Sequence, residues 1–141
     1  MPVRIATWNI NSVRIRLGLL ARLADEASPD VVCLQETKVT DDLFPAEEIA
    51  ALGYTHQHIA GQKGYNGVPI LSRLPLGETG REDWCAKGDC RHIQATLPNG
   101  VVLHNFYVPA GGDIPDPAEN DKFAHKLQFL REMADWWDKP A

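Results

Sequence analysis

Pro29-Asp30-Val31-Val32-Cys33-Leu34-Gln35-Glu36 is the stretch on which the fold class turns. Four apolar residues in a row, opened by a turn-forming Pro-Asp and closed by polar residues, have the pattern of a strand covered on both faces. Upstream of it, residues 15–27 carry Leu20, Leu23, Ala24 and Ala27 at helical spacing, and residues 3–8 alternate before ending in Asn9-Ile10-Asn11-Ser12. Strand, loop, helix and strand in that order predict a β-α-β opening. If its two strands are adjacent and parallel, their C-terminal ends bring Asn9 and Glu36 to one rim of the sheet, where sites of open α/β sheets gather.

Downstream, residues 44–52 predict a short helix with Glu47 and Glu48 near its start and Gly53 as its stop. Residues 54–59 can extend, and Gly61, Gly64 and Gly67 punctuate a loop leading to a strand over 68–72. Pro69 inside that run predicts an edge strand or a bulge. The stretch through Lys87 reads as irregular. Runs 91–97 and 101–108 flank Pro98-Asn99-Gly100, a strong hairpin signal. Residues 109–117 read as loop and 119–137 as an amphipathic helix with Phe123, Leu127, Leu130 and Ala134 on one face. Mixed strands with interspersed helices indicate a layered α/β or α+β architecture. No glycine fingerprint follows the first strand, which argues against a doubly wound nucleotide-binding fold.

The 141 residues suit one domain, and 44% hydrophobic content can form a core. A net charge of −5 withholds the general attraction of a basic surface for phosphate backbones, so composition argues mildly against nucleic acid. No internal repeat, targeting segment or apolar run of membrane-spanning length is visible, and cytoplasm is the default expectation. Three cysteines, with Cys33 inside an apolar run, fit free thiols in a reducing compartment. Cys85, Cys90 and His92 fall short of the four ligands of a structural zinc site, so zinc is not expected. His92 and His104 read as packing or surface histidines.

A carboxylate at a strand end suits a hard cation, since magnesium takes one or two protein carboxylates and leaves its other positions to water and phosphate. Spacing alone favours the plainer reading of Glu36 as a solvated loop residue beside Lys38. The strings themselves go further. Thr7-Trp8-Asn9-Ile10-Asn11-Ser12 and Leu34-Gln35-Glu36-Thr37-Lys38 closely resemble the first two motifs of the exonuclease III family of apurinic/apyrimidinic endonucleases. The resemblance continues through Phe44-Pro45, Leu52-Gly53-Tyr54, Gly61-Gln62-Lys63-Gly64-Tyr65-Asn66-Gly67-Val68, Arg91, Asn105-Phe106-Tyr107-Val108-Pro109 and Lys122-Phe123. Pro69 departs from it, standing where the family has a small residue.

This resemblance implies part of a four-layered α/β sandwich, two packed mixed sheets with helices outside, of which residues 1–141 are the N-terminal portion of one domain. It implies magnesium, with manganese a possible substitute, held by Glu36 with Asn9. It implies Asn9 and Tyr107 as catalytic groups, and DNA with abasic sites or 3′ ends as the partner. Lys38, Lys63, Tyr65, Asn66 and Arg91 are the DNA-contact candidates, Arg73 being as readily scattered surface charge. The family's Gly-Asp-x-Asn motif, its later metal-site Asp and its terminal Asp-His pair do not occur here. Two expectations follow: a DNA-repair phosphodiesterase, or related phosphatase, lacking its general base and therefore inactive as it stands; or a non-catalytic half that binds its complementary C-terminal segment or DNA. On either, strands carrying Val31, Leu34, Val101, Leu103 and Phe106 should leave an apolar face uncovered.

Overall fold

The computed structural model describes residues 2–138, which form two compact units. The first comprises the chain up to Glu82 together with Asp89–Tyr107, and the second Asp83–Gly88 with the chain from Val108 onward.

In the first unit β1 (Ile5–Asn9) leads through a 3₁₀ turn at Arg14–Arg16 into α1 (Leu17–Glu26) and returns as β2 (Val31–Gln35), parallel to β1. After α2 (Ala46–Ala51), β3 (His56–Ala60) and β4 (Val68–Ser72) complete a mixed sheet in the order β1-β2-β4-β3. A second sheet, β5 (Thr79–Glu82), β6 (His92–Thr96) and β7 (Val102–Phe106), is antiparallel throughout. β5 falls in the stretch read as irregular. Its Thr-Gly-Arg-Glu sequence is largely exposed on an edge, so it has no apolar alternation to betray it.

The apolar run of β2 feeds two cores. Val32 and Leu34 join Leu20 and Ala24 of α1, Ile49 of α2 and Leu71 of β4. Val31 and Cys33 join Val68 and Ile70 of β4 and, from the second sheet, Ile93 and Ala95. Two sheets thus pack face to face, with α1 and α2 outside the first. Val31 and Leu34, expected on a face awaiting cover, are fully buried, whereas Val101 and Val102 are about half exposed, at 50% and 49%. Burial with no charged neighbour raises the Cys33 thiol pKa to about 12, which makes it a packing group.

Pro69 corrects the expectation of an edge strand, because β4 lies between β2 and β3. The β2–β4 ladder pairs Val31 with Ser72, Val32 with Leu71 and Cys33 with Ile70, and ends there. An interior proline is tolerated because pairing with β2 stops before reaching it.

The second unit is built on α3 (Asp121–Trp137), whose Asn120 cap accepts a hydrogen bond from the Lys122 amide at 3.1 Å. Its buried face is not the aliphatic stripe expected from Phe123, Leu127, Leu130 and Ala134. Leu130 and Ala134 are exposed, while Phe129 is fully buried. Trp84 packs against Phe129 with its ring tilted at 45° and 5.4 Å between centroids, and meets Trp136 edge-on at 6.0 Å. Large aromatic areas outweigh an aliphatic stripe in choosing the face.

Candidate active site

The rim formed by the ends of β1 and β2 is held by hydrogen bonds that continue the parallel ladder past both strands. Ile10 donates to the Gln35 carbonyl at 3.0 Å, Ser12 to that of Glu36 at 2.8 Å and Val13 to that of Thr37 at 3.1 Å. Asn9 ends β1 opposite Gln35, so Asn9 and Glu36 stand at the ends of adjacent parallel strands. Asn11, Ser12, Glu36 and Lys38 all have positive φ. Four non-glycine residues in the left-handed region within two short loops mark backbone strain of the kind that gathers at functional sites. Glu36 is carried on such a turn, half-buried.

A third loop closes on these two. Lys38 donates its amide to the Asn66 carbonyl at 2.9 Å, and its ammonium group reaches Asn11 Oδ1 at 2.5 Å. Gly67 has φ +103°, and a Cβ there would sit 2.1 Å from Thr37 Oγ1, a buried hydroxyl. Only glycine lets the two loops approach so closely.

Tyr107, just past β7, brings the second sheet to the same place. Its phenol pKa is raised, first by burial and then by a hydrogen bond to Glu36 and that residue's charge, with Arg91 pulling the other way. The Arg91 guanidinium lies over the Tyr107 ring, 4.7 Å from its centroid, and donates to the Tyr107 carbonyl at 3.2 Å. Asp89 accepts from Arg91 Nε at 2.6 Å, and the Asp89 carbonyl accepts from Asn66 Nδ2 at 2.8 Å. Glu36, Tyr107, Arg91, Asp89, Asn66 and Lys38 therefore form one continuous chain of contacts.

The DNA-contact candidates divide. Lys63 and Tyr65 are exposed, Tyr65 at 59%; Arg91 and Lys38 are half-buried; Asn66 is turned inward. Arg73 bonds Ser28 Oγ at 2.8 Å and the Ala24 carbonyl at 3.4 Å, closing the end of α1 and lying over Tyr54. His92 and His104 hydrogen-bond each other at 3.0 Å and stack with Phe106. Among the described residues no three His, Cys, Asp or Glu side chains group closely enough to hold a metal ion. The groups that would hold a cation at this rim, the Glu36 carboxylate and the Asn9 carboxamide, would present oxygen to it. That suits a hard cation completed by water and phosphate, and no softer metal.

Sequence reasoning does not reveal Asp89 or Asn105. Asp89 carries no signal, sitting in an irregular Gly-Asp-Cys-Arg stretch. Asn105 does carry one: it occupies an inward position of an alternating strand, and a buried carboxamide demands partners.

Comparison with known proteins places this geometry. A match to the Endonuclease/Exonuclease/phosphatase family spans residues 6–141. Exodeoxyribonuclease III of Haemophilus influenzae is 41% identical over 97% of this chain and 52% of its own length. Among solved structures, an AP endonuclease from Archaeoglobus fulgidus superposes with a TM-score of 0.81 and 36% identity, covering 94% of this chain and 49% of that one. A 3′ phosphatase from Neisseria, bound to a product DNA hairpin, gives 0.74 and 34%, covering 95% and 53%. The chain spans about half the length of the relatives it matches.

Proposed function

The chain belongs to the Endonuclease/Exonuclease/phosphatase family, and on that premise we propose that it is the N-terminal portion of a magnesium-dependent DNA-repair phosphodiesterase acting at abasic sites and 3′ ends. The observation that carries this reading is the meeting of Glu36 with Tyr107, under Arg91, on the rim where Asn9 ends β1. In this reading Glu36 and Asn9 hold the cation, which when bound offsets charge on the phosphate. Tyr107 stays protonated at neutral pH, because burial and Glu36 both raise its pKa, and its single O–H, directed at Glu36 in this structure, turns to a phosphate oxygen once the cation takes the carboxylate. Arg91 adds positive charge behind it. Lys38, Lys63 and Tyr65 flank the backbone path, and Asn66 sets the loop that carries Lys63 and Tyr65.

Among the described residues the rim offers the Glu36 carboxylate, Asp89 being engaged by Arg91, and no further group suited to activate water. Catalytic groups that work as a unit are strongly non-additive, so the 141-residue chain should show no measurable cleavage of a duplex with one abasic site in magnesium. Extending it by the half that its relatives possess should produce cleavage, and Glu36→Gln should abolish it. Robust cleavage by the 141 residues alone would overturn the incompleteness, and an active Glu36→Gln extended enzyme would remove Glu36 from the metal site. The half-length coverage of the relatives favours a second reading, a non-catalytic half that binds a complementary segment. An extended chain that remains inactive while the 141-residue chain captures the separate second half would select it.

A further inference from the structure

The β2–β4 ladder breaks at one identifiable rung. Continuing its register would pair Leu34 with Pro69, and proline has no N–H to give. At that place a side chain from the other sheet takes over. Asn105 Nδ2 donates to the Leu34 carbonyl at 2.9 Å and to the Pro69 carbonyl at 2.8 Å, bridging the two strands. Its Oδ1 accepts from Gln35 Nε2 at 2.8 Å, and the same Gln35 nitrogen reaches Thr7 Oγ1 of β1 at 3.0 Å. Asn105 is 2% exposed, so water cannot replace these partners. The residue after Gln35 is Glu36.

We propose that Asn105 is a positioning residue for Glu36: its carboxamide replaces the hydrogen-bonded rung that Pro69 removes and, through Gln35, fixes the strand end from which the Glu36 turn departs. The inference rests on Glu36 being the cation ligand of the proposed function. A carboxamide that merely stabilised the sandwich would loosen the whole unit when removed. A positioning group loosens first the amides of the rim, namely Ser12, Val13 and Lys38, which donate to the carbonyls of Glu36, Thr37 and Asn66.

The test is residue-resolved amide exchange on the 141-residue chain, with manganese alone as a paramagnetic probe of Glu36. Asn105→Leu should speed exchange at Ser12, Val13 and Lys38 by at least about tenfold more than in the β6–β7 ladder, whose amides register only the general loss of stability. It should also weaken manganese broadening at Glu36. Adding Pro69→Ala returns an N–H to the broken rung and should restore much of both. Gln35→Met, which cuts only the side-chain tie, should act in the same direction by about threefold. Uniform acceleration across the unit, or a folded double variant with no recovery, would overturn the proposal. Should Asn105→Leu fail to fold, Gln35→Met decides, and unchanged rim amides there would sink it. Absence of manganese broadening in the wild type would defeat the metal reading, while the exchange pattern still decides whether Asn105 positions the rim.

Discussion

The two faces of the β6–β7 hairpin bury polar groups in different ways. One face sends Ile93, Ala95 and Leu103 toward the first sheet and carries Asn105 among them. The other carries His92, Gln94, His104 and Phe106, with Glu82 of β5 beside His92 in register. Asn105 and His92 are about equally hidden, at 2% and 1% exposure. The carboxamide cannot ionise and has three strong partners, so its geometry is the same at any moderate pH. The imidazole shares one proton with His104 across 3.0 Å and stacks 3.8 Å from the Phe106 ring, and it can take up a second proton. Burial therefore gives a fixed strut on one face and an acid-sensitive pair on the other.

The largest effect should come from the strut. Asn105→Leu leaves the Leu34 and Pro69 carbonyls buried without the donor that joins them, a loss of roughly 2–4 kcal/mol at about 1–3 per group with some relaxation. Chemical unfolding at neutral pH measures it. A loss no greater than that of His92→Phe under the same conditions would break the contrast between the faces.

Next comes acid. His92 is lowered from 6.5 to about 4, by burial first and by His104 second. A folded state with a depressed histidine pKa binds fewer protons than the unfolded chain. Its stability is therefore whole above pH 6.5 and falls as pH drops from there toward 4, by on the order of 3 kcal/mol in total. His92→Phe should flatten that part of the profile, and Asn105→Leu should shift the profile without changing its slope. An unaltered slope in His92→Phe would place the acid sensitivity elsewhere.

The smallest effect belongs to the turn that joins the two strands and to neither face. Gly100 has φ +86° and open space where a methyl group would stand, so Gly100→Ala costs only the backbone term, about 1 kcal/mol. Thermal unfolding should register that loss at every pH tested. A larger loss, or one that grows in acid, would show that the turn and the histidine pair are coupled.

How much of this was legible follows from where each signal resides. The β-α-β opening, the Asn-Gly hairpin and the extent of α3 depend on neighbours in sequence, and each lies within a residue or two of its expected place. β5 was invisible because a polar edge strand is made by its partner, and the face of α3 was misjudged because Trp84 and Phe129 meet across 45 residues of chain. At the rim, Glu36 was marked by its motif, whereas its approach to Tyr107 and the Asp89 anchor of Arg91 arise only when the sheets stack.

By itself, then, the sequence determined the class of fold, the strand ends that carry Asn9 and Glu36 and the family to which the chain belongs, because periodicity, turn chemistry and motif strings are local. Only the tertiary structure decided that Pro69 is interior, that Asn105 crosses between sheets to mend the ladder it interrupts, and that His92 and His104 share a proton. Each of those depends on groups distant in sequence meeting away from water, where a hydrogen bond made or lost has its full energetic weight.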